Sequence, residues 1–182
     1  MSAEQHFQGQ FEVELKYHVQ DKRAFLTALS SLKHEVMFEE NQESDWFYDT
    51  PERKLTSENK SLVIREIEPS GIKLWIVKGP EEDRCEATDI TKSHAAKSML
   101  ENMGYEVVLH TKKVRSIYFV GEFHITLDHL EGVGYFAEFA IMTDDESALG
   151  RYKQKLEALA AMFGLDESNK ELRSYKQIWT SQ

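Results

Sequence analysis

Glu12, Glu14 and Lys16 stand two residues apart in the segment FEVELKYHV at 11–19. Side chains alternate along an extended chain, so these three share one face, with neighbouring Cα atoms roughly 7 Å apart. Phe11, Val13, Leu15, Tyr17 and Val19 fall on the opposite face. Two carboxylates at this spacing suit oxygen ligation of a hard dication, Mg²⁺ or Mn²⁺, beside phosphate. Such an ion takes one or two carboxylates and leaves its other positions to water or phosphate oxygens. A solvated strand face of alternating charge satisfies the same pattern.

Other charged residues repeat the theme. Arg65 interrupts SLVIREIE, Lys78 directly precedes Gly79-Pro80, and Arg84 lies two residues from Glu86. Lys113 and Arg115 share a strand face and can converge on one anion, while Asp128 shares a face with His124 and Thr126. Each of these also reads as an exposed charge or a local ion pair. Glu138 is different, because an acid inside YFAEFAIM needs a metal, a base or water. His18, His124 and His129 lack the spacing and the cysteine companion of a closed zinc site, and His124 is the one best placed to approach the charged face. Trp46 and Trp75 are assigned to packing. Cys85, the single cysteine, cannot form an internal disulfide and reads as a partly buried small side chain.

The elements that position these residues follow from periodicity. Residues 11–19 form a strand, and Asp21 can cap a helix to about Leu32 with Phe25, Leu29 and Leu32 on one stripe. Residues 34–50 are mixed and end in a strand before a proline turn; the polar residues 51–60 read as a surface loop. SLVIREIE and GIKLWIVKG form a hairpin across Glu68-Pro69-Ser70-Gly71. A short strand is expected at 84–87, a helix at 92–103, and strands at 105–111, 112–120, 123–130 and 135–142. Asp144 or Asp145 can cap a third helix, with Leu149, Tyr152, Leu156, Leu159 and Phe163 on one face and Gly164 as its stop. A further short piece is expected at 172–179.

About eight strands with mostly hairpin connections predict an antiparallel sheet with flanking helices, an α+β fold. Acids and bases recur near the middles of several strands. A barrel with a charged lumen, its apolar outer face covered by helices, accounts for that polarity. The 182 residues suit a single domain over 1–182. The formal charge of −10, from 22 Lys and Arg against 32 Asp and Glu, argues against nucleic acid as a partner. A small anionic substrate remains compatible with it, since a cleft can focus positive potential locally. No run approaches 18 apolar residues and no leader-like segment opens the chain, so no membrane association and a cytoplasmic location are expected.

The same motifs, in order, carry a family resemblance. EVELK at 12–16, PSGIKLWIVKGP at 69–80, RCEA at 84–87, RSIYFVGEFHITLDHL at 115–130 and FAEFAIMTDD at 136–145 span most of the chain. The sequence resembles the CYTH, or triphosphate tunnel metalloenzyme, superfamily, and most closely its bacterial class IV adenylyl cyclases. The resemblance implies a closed eight-stranded barrel whose bases hold a triphosphate and whose acids hold divalent metal. It places Glu12, Glu14 and Glu138 at metal positions, with Glu14 and Glu138 as direct ligands. Lys16, Arg65, Lys78, Arg84, Lys113 and Arg115 match its phosphate-binding bases, and Asp128 matches a metal-associated or substrate-orienting acid. Glu14, Lys113, Arg115, Asp128 and Glu138 are thereby the expected catalytic set. The implied reaction converts ATP to cyclic AMP and pyrophosphate with Mg²⁺ or Mn²⁺, in a homodimer. Hydrolysis of tripolyphosphate or thiamine triphosphate in the same tunnel is the alternative.

Overall fold

A computed structural model describes all 182 residues. Eight strands are present: β1 Phe11–Val19, β2 Glu35–Asp49, β3 Ser61–Glu68, β4 Ile72–Lys78, β5 Cys85–Asp89, β6 Glu106–Val120, β7 Phe123–Leu130 and β8 Gly134–Thr143. Six helices accompany them: α1 Ala3–His6, α2 Lys22–Ser30, α3 Lys54–Ser57, α4 Ser93–Asn102, α5 Leu149–Ala161 and α6 Tyr175–Thr180. All strands belong to one sheet, ordered β1-β8-β7-β6-β2-β3-β4-β5, and every ladder is antiparallel.

The sheet curls until its two edge strands meet at one end. Cys85 N–H donates to the Gln10 carbonyl at 2.9 Å and Glu12 N–H donates to the Asp83 carbonyl at 2.8 Å. Beyond the single bridge between Phe11 and Arg84, β1 and β5 form no ladder. The architecture is therefore a strongly curled, stitched half-barrel and not a barrel with a continuous hydrogen-bonded seam. The strand count, antiparallel pairing and flanking helices follow the pattern read from the sequence.

Curling divides the side chains by chemistry. The outer face of β1, β7 and β8 offers Val13, Leu15, Tyr17, Ile125, Leu127, Ala137, Phe139 and Ile141 to Phe25 and Leu29 of α2 and to Leu156, Leu159 and Ala160 of α5. A second outer cluster joins Tyr48, Leu62 and Ile64 to Ala96 and Leu100 of α4, with Trp46 and Trp75 packed against it. The helices form where the sequence places their signals. Asp21 accepts from Ala24 N–H at 3.0 Å at the start of α2, and Asp145 caps a short 3₁₀ turn that leads into α5.

Three local differences from the sequence reading have physical causes. The two strands expected at 105–111 and 112–120 are one 15-residue strand, β6. Its polar HTKK stretch is no break, because Thr111 and Lys113 are buried in the charged interior. Residues 34–50 are likewise nearly all strand; β2 runs along β6 with register shifts, and Glu40 takes a positive φ of 51° near one of them. Within the expected loop at 51–60, Asp49 nucleates α3 by accepting from the N–H groups of Leu55 at 2.8 Å and Thr56 at 3.0 Å.

Leu156 is fully buried where α5 crosses β1 and β8. Its replacement by Ala is expected to destabilise the fold by about 2–5 kcal/mol, the range for a leucine cavity that relaxes incompletely. Urea denaturation followed by far-UV circular dichroism measures the change.

Candidate functional site

The inner face of the curl is a cavity of about 640 Å³, lined by β1 to β4, by Lys113 of β6 and Glu138 of β8, by the loop at 79–85 and by the segment 170–177. Its floor is made by register. Lys16 on β1 lies opposite Glu138 on β8, Glu138 lies opposite Thr126 on β7, and Arg115 on β6 lies opposite Asp128 on β7. Across β2 the same face continues through Glu43, opposite Lys113, and Asp45, opposite Arg65 of β3. Lys16, Glu43, Asp45, Lys113, Arg115, Asp128 and Glu138 are all buried.

Arg115 is the hub. Its Nε and Nη2 donate to the two oxygens of Asp128, both at 2.7 Å, and Nη2 also donates to Glu138 Oε1 at 2.6 Å. Its Nη1 lies 3.3 Å from Glu43. Burial disfavours the charged guanidinium, yet Asp128 and Glu43 hold it well above its ordinary range. Arg65 repeats the geometry with Asp45, donating Nε and Nη2 at 2.7 and 2.8 Å. Lys16 lies 3.7 Å from Glu138 and donates to the Arg173 carbonyl at 3.1 Å.

The acids near the stitched end behave differently. Burial would raise the Glu12 carboxyl, but Lys78 at 3.6 Å and His124 at 3.5 Å outweigh it and hold the group down to about 2. Glu14 and Glu138 interact directly. Burial and the Glu14 charge raise Glu138; burial opposes ionisation of Glu14 too, but its side-chain interaction with Glu138 and the Lys78 charge hold Glu14 low. Two neighbouring carboxyls whose charges oppose one another form a position that a dication fits, since the ion supplies positive charge to both. No three Asp, Glu, His or Cys side chains are assembled into a ready cage. A hard dication at the Glu14–Glu138 pair would complete its shell with phosphate and water oxygens.

The residues singled out from the sequence thus fall into two groups. Glu12, Glu14, Lys16, Arg65, Lys78, Arg84, Lys113 and Glu138 line the cavity, and Arg115 and Asp128 buttress its floor from immediately behind. Arg84 is the most peripheral: it pairs with Glu86 at 3.3 Å and lies over the Phe11 ring. Lys78 is positioned by Gly79, whose φ is +86° and where a Cβ would stand 2.0 Å from the Asn59 carbonyl oxygen. His124 approaches the site through Glu12, while His18 pairs outside with Glu171 and His129 stacks on Tyr135.

Sequence reasoning missed Glu43, Asp45 and Tyr175. The first two stand two apart in NQESDW, the same signal that identified Glu12 and Glu14. Tyr175 had no local signal. It enters from α6, whose start is fixed by a capping box between Ser174 and Gln177. Its hydroxyl donates to Asp128 at 2.6 Å, and the ammonium groups of Lys16 and Lys113 lie 4.1 and 4.6 Å from its ring centre.

Comparison with known proteins gives consistent relatives. Residues 10–175 match the CYTH domain. The chain is 58% identical over 176 residues to the Aeromonas hydrophila protein named adenylate cyclase CyaB, covering 97% of this chain and 92% of that one. Among solved structures, a Vibrio parahaemolyticus protein is 69% identical with a TM-score of 0.93, over 95% of this chain and 99% of the other. A Pyrococcus horikoshii protein at 24% identity and a TM-score of 0.80, over 94% and 99% of the two chains, shares the fold.

Two measurements test this electrostatic arrangement. Asp128→Asn keeps the shape but weakens the fork that neutralises Arg115, and is expected to cost about 3 kcal/mol in chemical denaturation, as for a broken buried ion pair. Glu12 has a folded value of about 2 against an ordinary 4.5, so its contribution is fully present above pH 4.5 and is lost as pH falls through 2. The stability difference between the wild-type protein and Glu12→Gln should therefore shrink over that window. Urea titrations at successive pH values read it directly.

Proposed function

The chain belongs to the CYTH domain family, and from that premise we propose that it is an adenylyl cyclase converting ATP to 3′,5′-cyclic AMP and pyrophosphate. The observation that carries this reading furthest is the convergence of Arg65, Lys113 and Arg115 within 3.3 Å of one buried carboxylate, beside the Glu14–Glu138 pair. Such a cluster of buried cations offers donors to several oxygens of a triphosphate at once. The chain acts as one catalytic domain over 1–182, and the cytoplasmic location and homodimer implied by the resemblance belong to the same proposal.

Lys16, Arg65, Lys78, Arg84, Lys113 and Arg115 bind the triphosphate in this scheme. Their side chains come from four strands and one loop of a single curled sheet, so the fold itself preorganises them. The ribose 3′-hydroxyl oxygen forms a bond to the α-phosphorus as the bond from that phosphorus to the bridging β-phosphate oxygen breaks, and the hydroxyl proton leaves to water. Lys113 and Arg115 stabilise charge on the departing pyrophosphate. Asp128 keeps the Arg115 fork oriented and is itself fixed by Tyr175. Glu14 and Glu138 would hold Mg²⁺ or Mn²⁺, with Glu12 at or behind the shell. When bound, the dication supplies a lowered hydroxyl pKa and added charge stabilisation at the α-phosphoryl group.

Incubation of the purified protein with ATP and Mg²⁺ or Mn²⁺, followed by product separation, tests the reading. Cyclic AMP with pyrophosphate supports it; ADP with orthophosphate identifies a hydrolase using the same cavity. Glu138→Gln should remain folded by circular dichroism, bind Mn²⁺ more weakly and lose on the order of 100-fold in turnover. A folded variant with unchanged Mn²⁺ affinity and normal turnover removes Glu138 from the site.

A further inference from the structure

Glu43 has no assigned role, yet it is among the most deeply buried charged groups, at 1% exposure. Lys113 Nζ lies 2.6 Å from its carboxylate, Arg65 Nη2 at 3.0 Å and Arg115 Nη1 at 3.3 Å. Lys113 makes the short contact with this carboxylate, while neither guanidinium donates an aligned hydrogen bond to it. The two guanidinium forks are aimed elsewhere, Arg65 at Asp45 and Arg115 at Asp128. Toward the two arginines Glu43 therefore provides charge without directional locking, and leaves them donor capacity.

We propose that Glu43 is a positioning residue of the triphosphate site: an internal counter-anion that holds Arg65, Lys113 and Arg115 together, and against which a bound triphosphate competes. The inference rests on the triphosphate reading above. Asp45 and Asp128 each neutralise one guanidinium from its own side, but the three cations still repel one another across the gap between them. Glu43 alone lies within 3.3 Å of all three, and it draws them together without engaging either guanidinium fork. Phosphate oxygens accept aligned, charge-assisted hydrogen bonds and so take the donors that Glu43 only neutralises. Glu43 then faces the polyphosphate as a like charge. That repulsion loosens binding of the substrate and, equally, of the pyrophosphate product.

The test compares the wild-type protein with Glu43→Gln, which keeps the shape and removes the charge. Inorganic tripolyphosphate and pyrophosphate are titrated calorimetrically, and cyclic AMP formation is followed over ATP concentration. Affinity for both anions should rise on the order of tenfold, consistent with losing one buried like charge at close range. KM for ATP should fall together with kcat, as product leaves more slowly. Role and premise separate cleanly. A wild-type protein that binds no tripolyphosphate overturns the triphosphate reading and this inference with it. A wild-type protein that binds it, beside a folded Glu43→Gln whose affinity is unchanged or weaker, overturns only the role of Glu43. Should the variant be unfolded alone, saturating tripolyphosphate should restore its near-UV circular dichroism by replacing the missing anion, and failure to restore it counts against the proposal.

Discussion

A buried arginine on one strand needs a carboxylate on the next, and that constraint governs the interior. Arg115 and Asp128 face each other across β6 and β7 with both forks satisfied, and Arg65 and Asp45 do the same across β2 and β3. Each pair works only in one register, because a slip of one residue would move a guanidinium to the apolar outer face. The charges thus specify alignment as well as lining a site. The interior is costly by ordinary folding criteria, since desolvating so many ions is opposed by their loss of hydration. Cross-strand pairing offsets that loss, and the outer face supplies the favourable burial.

The division of labour between faces explains why the helices sit where they do. α2 and α5 cover β1, β7 and β8, while α4 covers β2 and β3, so most apolar surface is removed from water outside the curl, and only the small clusters Val63–Ile76–Cys85 and Leu130–Phe136–Ile178 lie within it. The cavity can then stay polar without weakening the fold. Cys85 illustrates the balance at its margin: it lies in the cavity wall beside Glu12, where burial pushes its thiol up to about 12 and keeps it an inert neutral group.

Much of this was legible in the sequence where one face is uniformly apolar. β1, the β3–β4 hairpin, α2 and α5 could be read from periodicity, because their outer residues alternate or recur without interruption. β2 and β6 were harder. Their inner faces carry Glu43, Asp45, Thr111 and Lys113, so hydrophobic alternation fails just where the strands are most important to the site. The acids and bases stood out individually, but their pairing did not: nothing local joins Arg115 to Asp128 or Glu43 to Arg65. Tyr175 is the extreme case, since its place depends on the chain returning along β1, where Glu171 N–H donates to the Lys16 carbonyl at 2.9 Å.

The position of β1 beside β8 has a kinetic meaning. Phe11 lies opposite Thr143, whereas the β3–β4 and β6–β7–β8 ladders join near neighbours in the chain. Chain-closure entropy is lost before a ladder between distant segments returns any stabilisation, which makes such pairings slow compared with hairpins. Glu12, Glu14 and Lys16 all belong to β1, and Glu138 to β8. The cavity consequently has no complete precursor among the local hairpins: its chemistry arrives with the longest-range contact in the sheet.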